Sequence, residues 1–114
     1  AKIAVGSAVY GVSEVGGDVV VASAKAVSGA IKGAAEVGGD VGTVAVSAVE
    51  GAVETVGNLG KDTTSVVRAS TLAAVEAADA LGSEVGAKVR NALLSAASLP
   101  REVIEAALKG RENK

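Results

Sequence analysis

The chain has no cysteine, histidine, methionine, phenylalanine or tryptophan, a single proline (Pro100) and a single aromatic residue, Tyr10. Each absence excludes something. Without cysteine there is no disulfide framework and no thiolate metal site. Without His or Cys, the ten serines lack a recognisable base to activate them. One aromatic ring and no basic stripe leave no stacking platform for nucleic acid, and a net charge of −2 gives no electrostatic drive toward it. The longest uncharged run, Ile3 to Ser13, is far shorter than the ~18 residues a membrane-spanning helix needs. Gly60-Lys61 imitates part of a phosphate loop, but Thr55 replaces its first glycine and Asp62 its Ser/Thr. A carboxylate pair such as Glu50/Glu54 falls on a polar face and reads as solvated surface. The expectation is a protein without catalytic, metal or cofactor residues, and not an enzyme.

What remains is small and β-branched. The 114 residues include 24 Ala, 21 Val and 15 Gly, against seven Leu and three Ile. Burial of apolar surface is worth roughly 25 cal/mol per Å², so such side chains gain little apiece. They do let helix backbones approach closely, where dispersion contacts accumulate. The material suits helix-on-helix contact more than a large Leu/Phe core.

The arrangement is periodic. Counted in elevens from Ala4, nineteen of the twenty charges between positions 4 and 109 occupy repeat positions three, four, seven, ten or eleven, and the exception is Lys88. Eleven residues make three turns of a slightly under-wound α-helix, so the charges form one stripe and the small apolar residues another. A second repeat lies inside the first. Val15-Gly16-Gly17-Asp18 returns as Val37-Gly38-Gly39-Asp40, Leu59-Gly60-Lys61-Asp62 and Leu81-Gly82-Ser83-Glu84, each 22 residues on. Propensity pulls the other way, since glycine costs about 1 kcal/mol relative to alanine in a helix interior and valine is a weak helix former. The period therefore predicts helices that need a partner surface.

The fold class expected is all-α, with long amphipathic helices in 11/22-residue repeats packed through small residues as a helical hairpin or bundle. Residues 1–98 form the repeat region, with the strongest break at 57–62 folding two long arms into a hairpin. Residues 99–114 form a short terminal helix, with Val103, Ile104, Ala107 and Leu108 on its apolar face, and a polar tail. The Gly-Gly-Asp sites are further possible breaks, with Asp as N-cap. Val19-Val20-Val21 and Val44-Ala45-Val46-Ser47 also carry a strand-like alternative. Candidate helix-packing residues are the i,i+4 glycine pairs Gly29/Gly33, Gly38/Gly42 and Gly82/Gly86, with Val15, Val19, Val37, Val41, Leu81 and Val85 on the apolar arc.

Segments such as Ser28-Gly29-Ala30-Ile31-Lys32-Gly33-Ala34-Ala35-Glu36 and Ala48-Val49-Glu50-Gly51-Ala52-Val53-Glu54-Thr55-Val56-Gly57 resemble the eleven-residue repeats of synucleins and perilipins. The 22-residue unit is similar to that of exchangeable apolipoproteins, with Gly-Gly where those often place proline. The resemblance implies helices that order on a lipid or other apolar surface. It departs from synucleins in its first half, where residues 1–57 hold only three basic groups against six acidic ones. The leading functional expectation is a structural protein forming a close-packed helical self-assembly, as a homo-oligomer or with a partner helix. The alternative is a coat on a lipid surface or granule. An ice-binding helix ranks lower, because Thr43, Thr55, Thr63, Thr64 and Thr71 fall at different repeat positions.

Overall fold

A computed structural model describes residues 19–60 and 62–112. Five α-helices account for nearly all of them: α1 (Val19–Glu36), α2 (Val41–Asn58), α3 (Thr63–Leu81), α4 (Ser83–Ser95) and α5 (Arg101–Glu112). The all-α expectation holds, and no strand occurs among the described residues, so Val19–Val21 and Val44–Ser47 are helical.

Among the described residues the helices are shorter than two unbroken arms would require. At 1.5 Å per residue, an uninterrupted arm of half this chain would run to roughly 80 Å. The longest extent of the molecule is 37 Å and its radius of gyration 12.8 Å, close to the ~13 Å of a compact chain of this length. The chain turns at 57–62, but also at three other described places, and α3 packs on all four other helices.

Glycine chemistry sets these turns. The Gly39 N–H donates to the Ala34 carbonyl (2.8 Å) and the Gly38 N–H to the Ala35 carbonyl (3.2 Å), with Gly38 at φ 70°. This is the Schellman arrangement, in which a left-handed glycine lets the chain satisfy a helix's last carbonyls. Asp40 then caps α2: its Oδ1 accepts from the Thr43 N–H (3.2 Å) and its Oδ2 from the Thr43 hydroxyl (2.8 Å). Gly60 at φ 75° ends the next helix, and the Asp62 carboxylate accepts from the Thr64 N–H (3.0 Å) to begin α3. Gly82 at φ 145° separates α3 from α4. These three are the described residues with positive φ, and each stands 22 residues from the next. The Gly16-Gly17-Asp18 site lies outside the described residues, as do Tyr10 and Val15.

The fourth turn differs. It runs through Ala96 to Pro100, with Leu99 buried and the Pro100 carbonyl accepting from the Val103 (3.0 Å) and Ile104 (3.2 Å) amides at the start of α5. Proline suits this place because a helix start has no use for its missing N–H.

The core matches the composition. Ile31, Leu93 and Ile104 are its largest fully buried side chains, surrounded by Val27, Val49, Val56, Val66, Val67, Val75 and Val89. Ala45, Ala48, Ala52, Ala74 and Ala78 are also fully buried and set the helices close together. No charged side chain is buried among those described.

Two glycine substitutions separate packing from backbone effects. At Gly29 and Gly33 an added Cβ would meet nothing within 4 Å and φ is helical, so Gly29→Ala and Gly33→Ala are each expected to stabilise by about 0.5–1 kcal/mol. At Gly60 there is equal space but φ is 75°, so Gly60→Ala is expected to cost about 1–2 kcal/mol. Urea unfolding midpoints distinguish the two. Destabilisation at Gly29 would reveal a close contact there.

Candidate functional site

The residues that hold one helix against another are the only constellation that the sequence offers as a site. The structure divides the candidates into three groups. Gly29 and Gly33 are solvent-exposed on α1, and among the described residues nothing lies within 4 Å of an added Cβ at either. Gly38 and Gly82 are turn residues, so their pairs with Gly42 and Gly86 do not share a helix. Gly42 and Gly86 are buried and make real close approaches.

At Gly42, α2 meets α4. A Cβ there would stand 3.3 Å from the Ala92 Cβ and 3.6 Å from the Lys88 carbonyl oxygen, so the two helices approach as a glycine–alanine contact. At Gly86 the space belongs to a side chain instead. The Asp79 carboxylate lies where a Cβ would be, and accepts from both Arg90 Nη1 and Nη2 at 2.9 Å in a bidentate pair.

The apolar candidates fare unevenly. Val19 is buried, Val41 and Val85 are half-buried against the core, and Leu81 and Val37 are exposed, Val37 by 82%. Val37 and Leu81 precede the turn glycines, where a helix is ending and its apolar arc runs past the neighbour it was packed on. Lys88, the one charge off the stripe, lies beside that region. It lines an open cleft of about 670 Å³ with Ala35, Gly38, Gly39, Asp40, Val41 and Val85. A charge is tolerated on the apolar arc there because the cleft is open to water.

Asp40 in that cleft has its carboxyl held below the ordinary value of 3.8, chiefly by the hydrogen bond from the Thr43 side chain and then by the Thr43 amide; Lys88 adds a smaller favourable field. A carboxyl lowered in the folded state contributes stability that is complete above its unfolded pKa. That contribution is lost as pH falls below 3.8 through the lowered folded value. Asp40→Asn keeps an acceptor for the Thr43 amide but cannot titrate. Its unfolding midpoint is therefore expected to fall less than that of the natural chain on acidification. Parallel acid profiles for the two would remove this role.

Two features escaped the sequence reading. The Asp79–Arg90 pair is one; both residues occupy repeat position ten, eleven apart, which in an unbroken helix would separate them by about 16 Å. The other is a group of buried hydroxyls. Ser23 and Thr55 donate to carbonyls one turn back, Val19 (2.7 Å) and Gly51 (2.8 Å). Ser70 and Thr71 on α3 are fully buried and their hydroxyls have no hydrogen-bond partner among the described residues. Both lie on the apolar arc, at repeat positions one and two, so the pattern did mark them.

The threonines share no ice-matching face: Thr55 and Thr71 are buried, Thr63 is half-buried, and Thr43 and Thr64 are exposed. Among the described residues no three carboxylates gather as a metal site, and no helix is long and apolar enough to cross a membrane. Comparison with protein-family models, with curated proteins and with solved structures gave no match.

Proposed function

We propose that this protein is a non-enzymatic structural or scaffold element whose copies associate by the same close helix packing that closes the single chain. The observation that carries this reading is the pairing of interchangeable faces with regularly placed turns. Buried alanines and valines supply most contacts, and glycine turns recur at positions 38, 60 and 82. A helix leaving its neighbour for the equivalent neighbour of another copy recovers nearly the same contacts, which is the condition for domain exchange. Exchange that does not close on itself yields a fibre or tube; exchange that closes yields a bundle of copies. The 11/22-residue repeat and its helical hairpin units belong to this proposal, with one turn glycine per unit.

Sedimentation velocity across a hundredfold range of concentration tests it. Oligomers that grow with concentration while helicity holds constant are the expected result. A helical monomer at every concentration would refute it.

A second reading is favoured by the modest size of the core side chains. Faces of Ala and Val cost comparatively little to separate, so the bundle could open at its glycine turns and lay those faces on a lipid surface. Because the closed fold is already helical, helicity is a poor reporter. Hydrogen exchange is the better one: amides of α3 lose protection on adding phosphatidylcholine vesicles or an oil emulsion if the bundle opens. Unchanged protection with both would dismiss the lipid reading.

A further inference from the structure

We propose that Asp79 and Arg90, together with Gly82 and Gly86, form a latch that holds α4 against α3, and that releasing it lets α4 pivot about Gly82 and uncover its apolar stripe. The connection between the two helices is one residue, Gly82, at φ 145° and ψ 155°. Only glycine visits that conformation without strain, so the chain bends there at a point with no side chain to restrict it. The Gly82 N–H donates to the Asp79 carbonyl (3.1 Å), and its own carbonyl accepts from the Gly86 N–H (3.0 Å). α4 receives no side-chain cap at its start. Local backbone bonds therefore allow the bend without fixing its angle.

The ion pair supplies what the backbone lacks. Asp79 stands in the last turn of α3 and Arg90 in the middle of α4, so their two parallel 2.9 Å bonds reach across the bend. Gly86 lies between them, and its missing Cβ leaves the volume that the Asp79 carboxylate fills. Both side chains are only about a quarter exposed (27% and 28%), so water screens the pair less than a surface one. The contrast is Arg101–Glu105, an exposed pair along one helix that spans no joint.

The latch guards a defined surface. Gly86, Val89 and Leu93 are the buried residues of α4, and Ala92 is the residue Gly42 of α2 approaches. A pivot about Gly82 would lift Val89 and Leu93 from the core while leaving α1, α2 and α3 in contact with one another, the 96–100 turn giving as α5 stays on α3. The Asp79–Arg90 pair is the polar fastening across this joint.

The absence of natural cysteine makes the test direct. Spin labels at Arg68→Cys on α3 and Asn91→Cys on α4, both exposed positions, report the interhelix distance by electron double resonance. The otherwise natural chain should give one narrow distribution. Asp79→Asn, Arg90→Lys (charge kept, fork lost) and Gly86→Ala (carboxylate displaced) should each add a second population, raising the opening of α4 roughly tenfold. Arg101→Ala should leave the distribution unchanged. Distributions for Asp79→Asn and Gly86→Ala that superimpose on the natural one would overturn the latch. Should those variants fail to fold, hydrogen exchange on the natural chain decides: α4 amides exchanging faster than α3 amides supports a separate opening, and a common rate for both refutes it.

Discussion

Leu93→Ala is expected to lower the unfolding free energy by about 2–5 kcal/mol, measured by urea denaturation with the slope unchanged. Leu93 is fully buried and, with Ile31 and Ile104, is among the largest fully buried side chains of the described residues. Its truncation removes transfer free energy and leaves a cavity. How far that cavity collapses sets the magnitude. The core as a whole is largely valine and alanine, either stiff at χ1 or too short to reach inward, so relaxation should be poor. Domains of this size hold about 5–15 kcal/mol in total, so one substitution removes a large share. A loss under about 1 kcal/mol would show that α4 is not packed as described.

Ser70→Ala and Thr71→Val are expected to act in the opposite direction, each raising stability by about 1–3 kcal/mol. Both hydroxyls are buried without a hydrogen-bond partner among the described residues, so folding takes them from water with no protein bond from those residues in exchange. Valine reproduces the shape of threonine without the polar atom, and alanine adds helix propensity at position 70. Ser23→Ala and Thr55→Val are the internal comparison, because those hydroxyls bond to carbonyls one turn back. They should be near neutral or mildly destabilising. If Ser70→Ala costs stability instead, its hydroxyl has a partner in solution, and α3 carries a polar contact at the centre of the bundle.

How much of this was legible varies element by element. Helices were legible because the charge period fits three turns in eleven residues, and that survives wherever the chain is locally helical. The turn at Gly38–Asp40 was legible as a possibility, since a glycine pair followed by aspartate supplies both a left-handed C-terminus and an N-cap. Its rank below the 57–62 break was misleading. Asn, Gly, Lys and Asp crowd the later site, but one positive-φ glycine and one capping carboxylate are enough, and Gly38 with Asp40 provides both. Gly29 and Gly33 drew attention by spacing alone. Spacing says that two glycines share a helix face, not that another helix lies across it, and among the described residues nothing comes within 4 Å of a Cβ added at either.

Gly86 shows the converse. Its i,i+4 partner is a turn residue, so the pairing has no meaning, yet Gly86 is the glycine whose missing Cβ matters most. The clearance is for a carboxylate seven positions earlier: a helical wheel puts the two on one face but about 10 Å apart along an unbroken helix, and only the bend at Gly82 brings them together.

By itself, then, the sequence determined local matters: helical conformation, the faces that avoid charge, the glycine and aspartate sites where a helix can end, and the reliance on small side chains. Those follow from backbone sterics and from periodicity, both of which act over a few residues. Tertiary structure alone decided which faces meet: α3 packed on the other four helices, Gly42 against Ala92, and Asp79 bonded to Arg90 instead of standing about three helical turns away. The physical reason is the composition itself. Faces of alanine and valine are nearly equivalent as partners, so the choice among them rests on turn geometry, to which glycines whose φ the sequence permits but does not specify contribute together with contacts across the bend such as Asp79–Arg90.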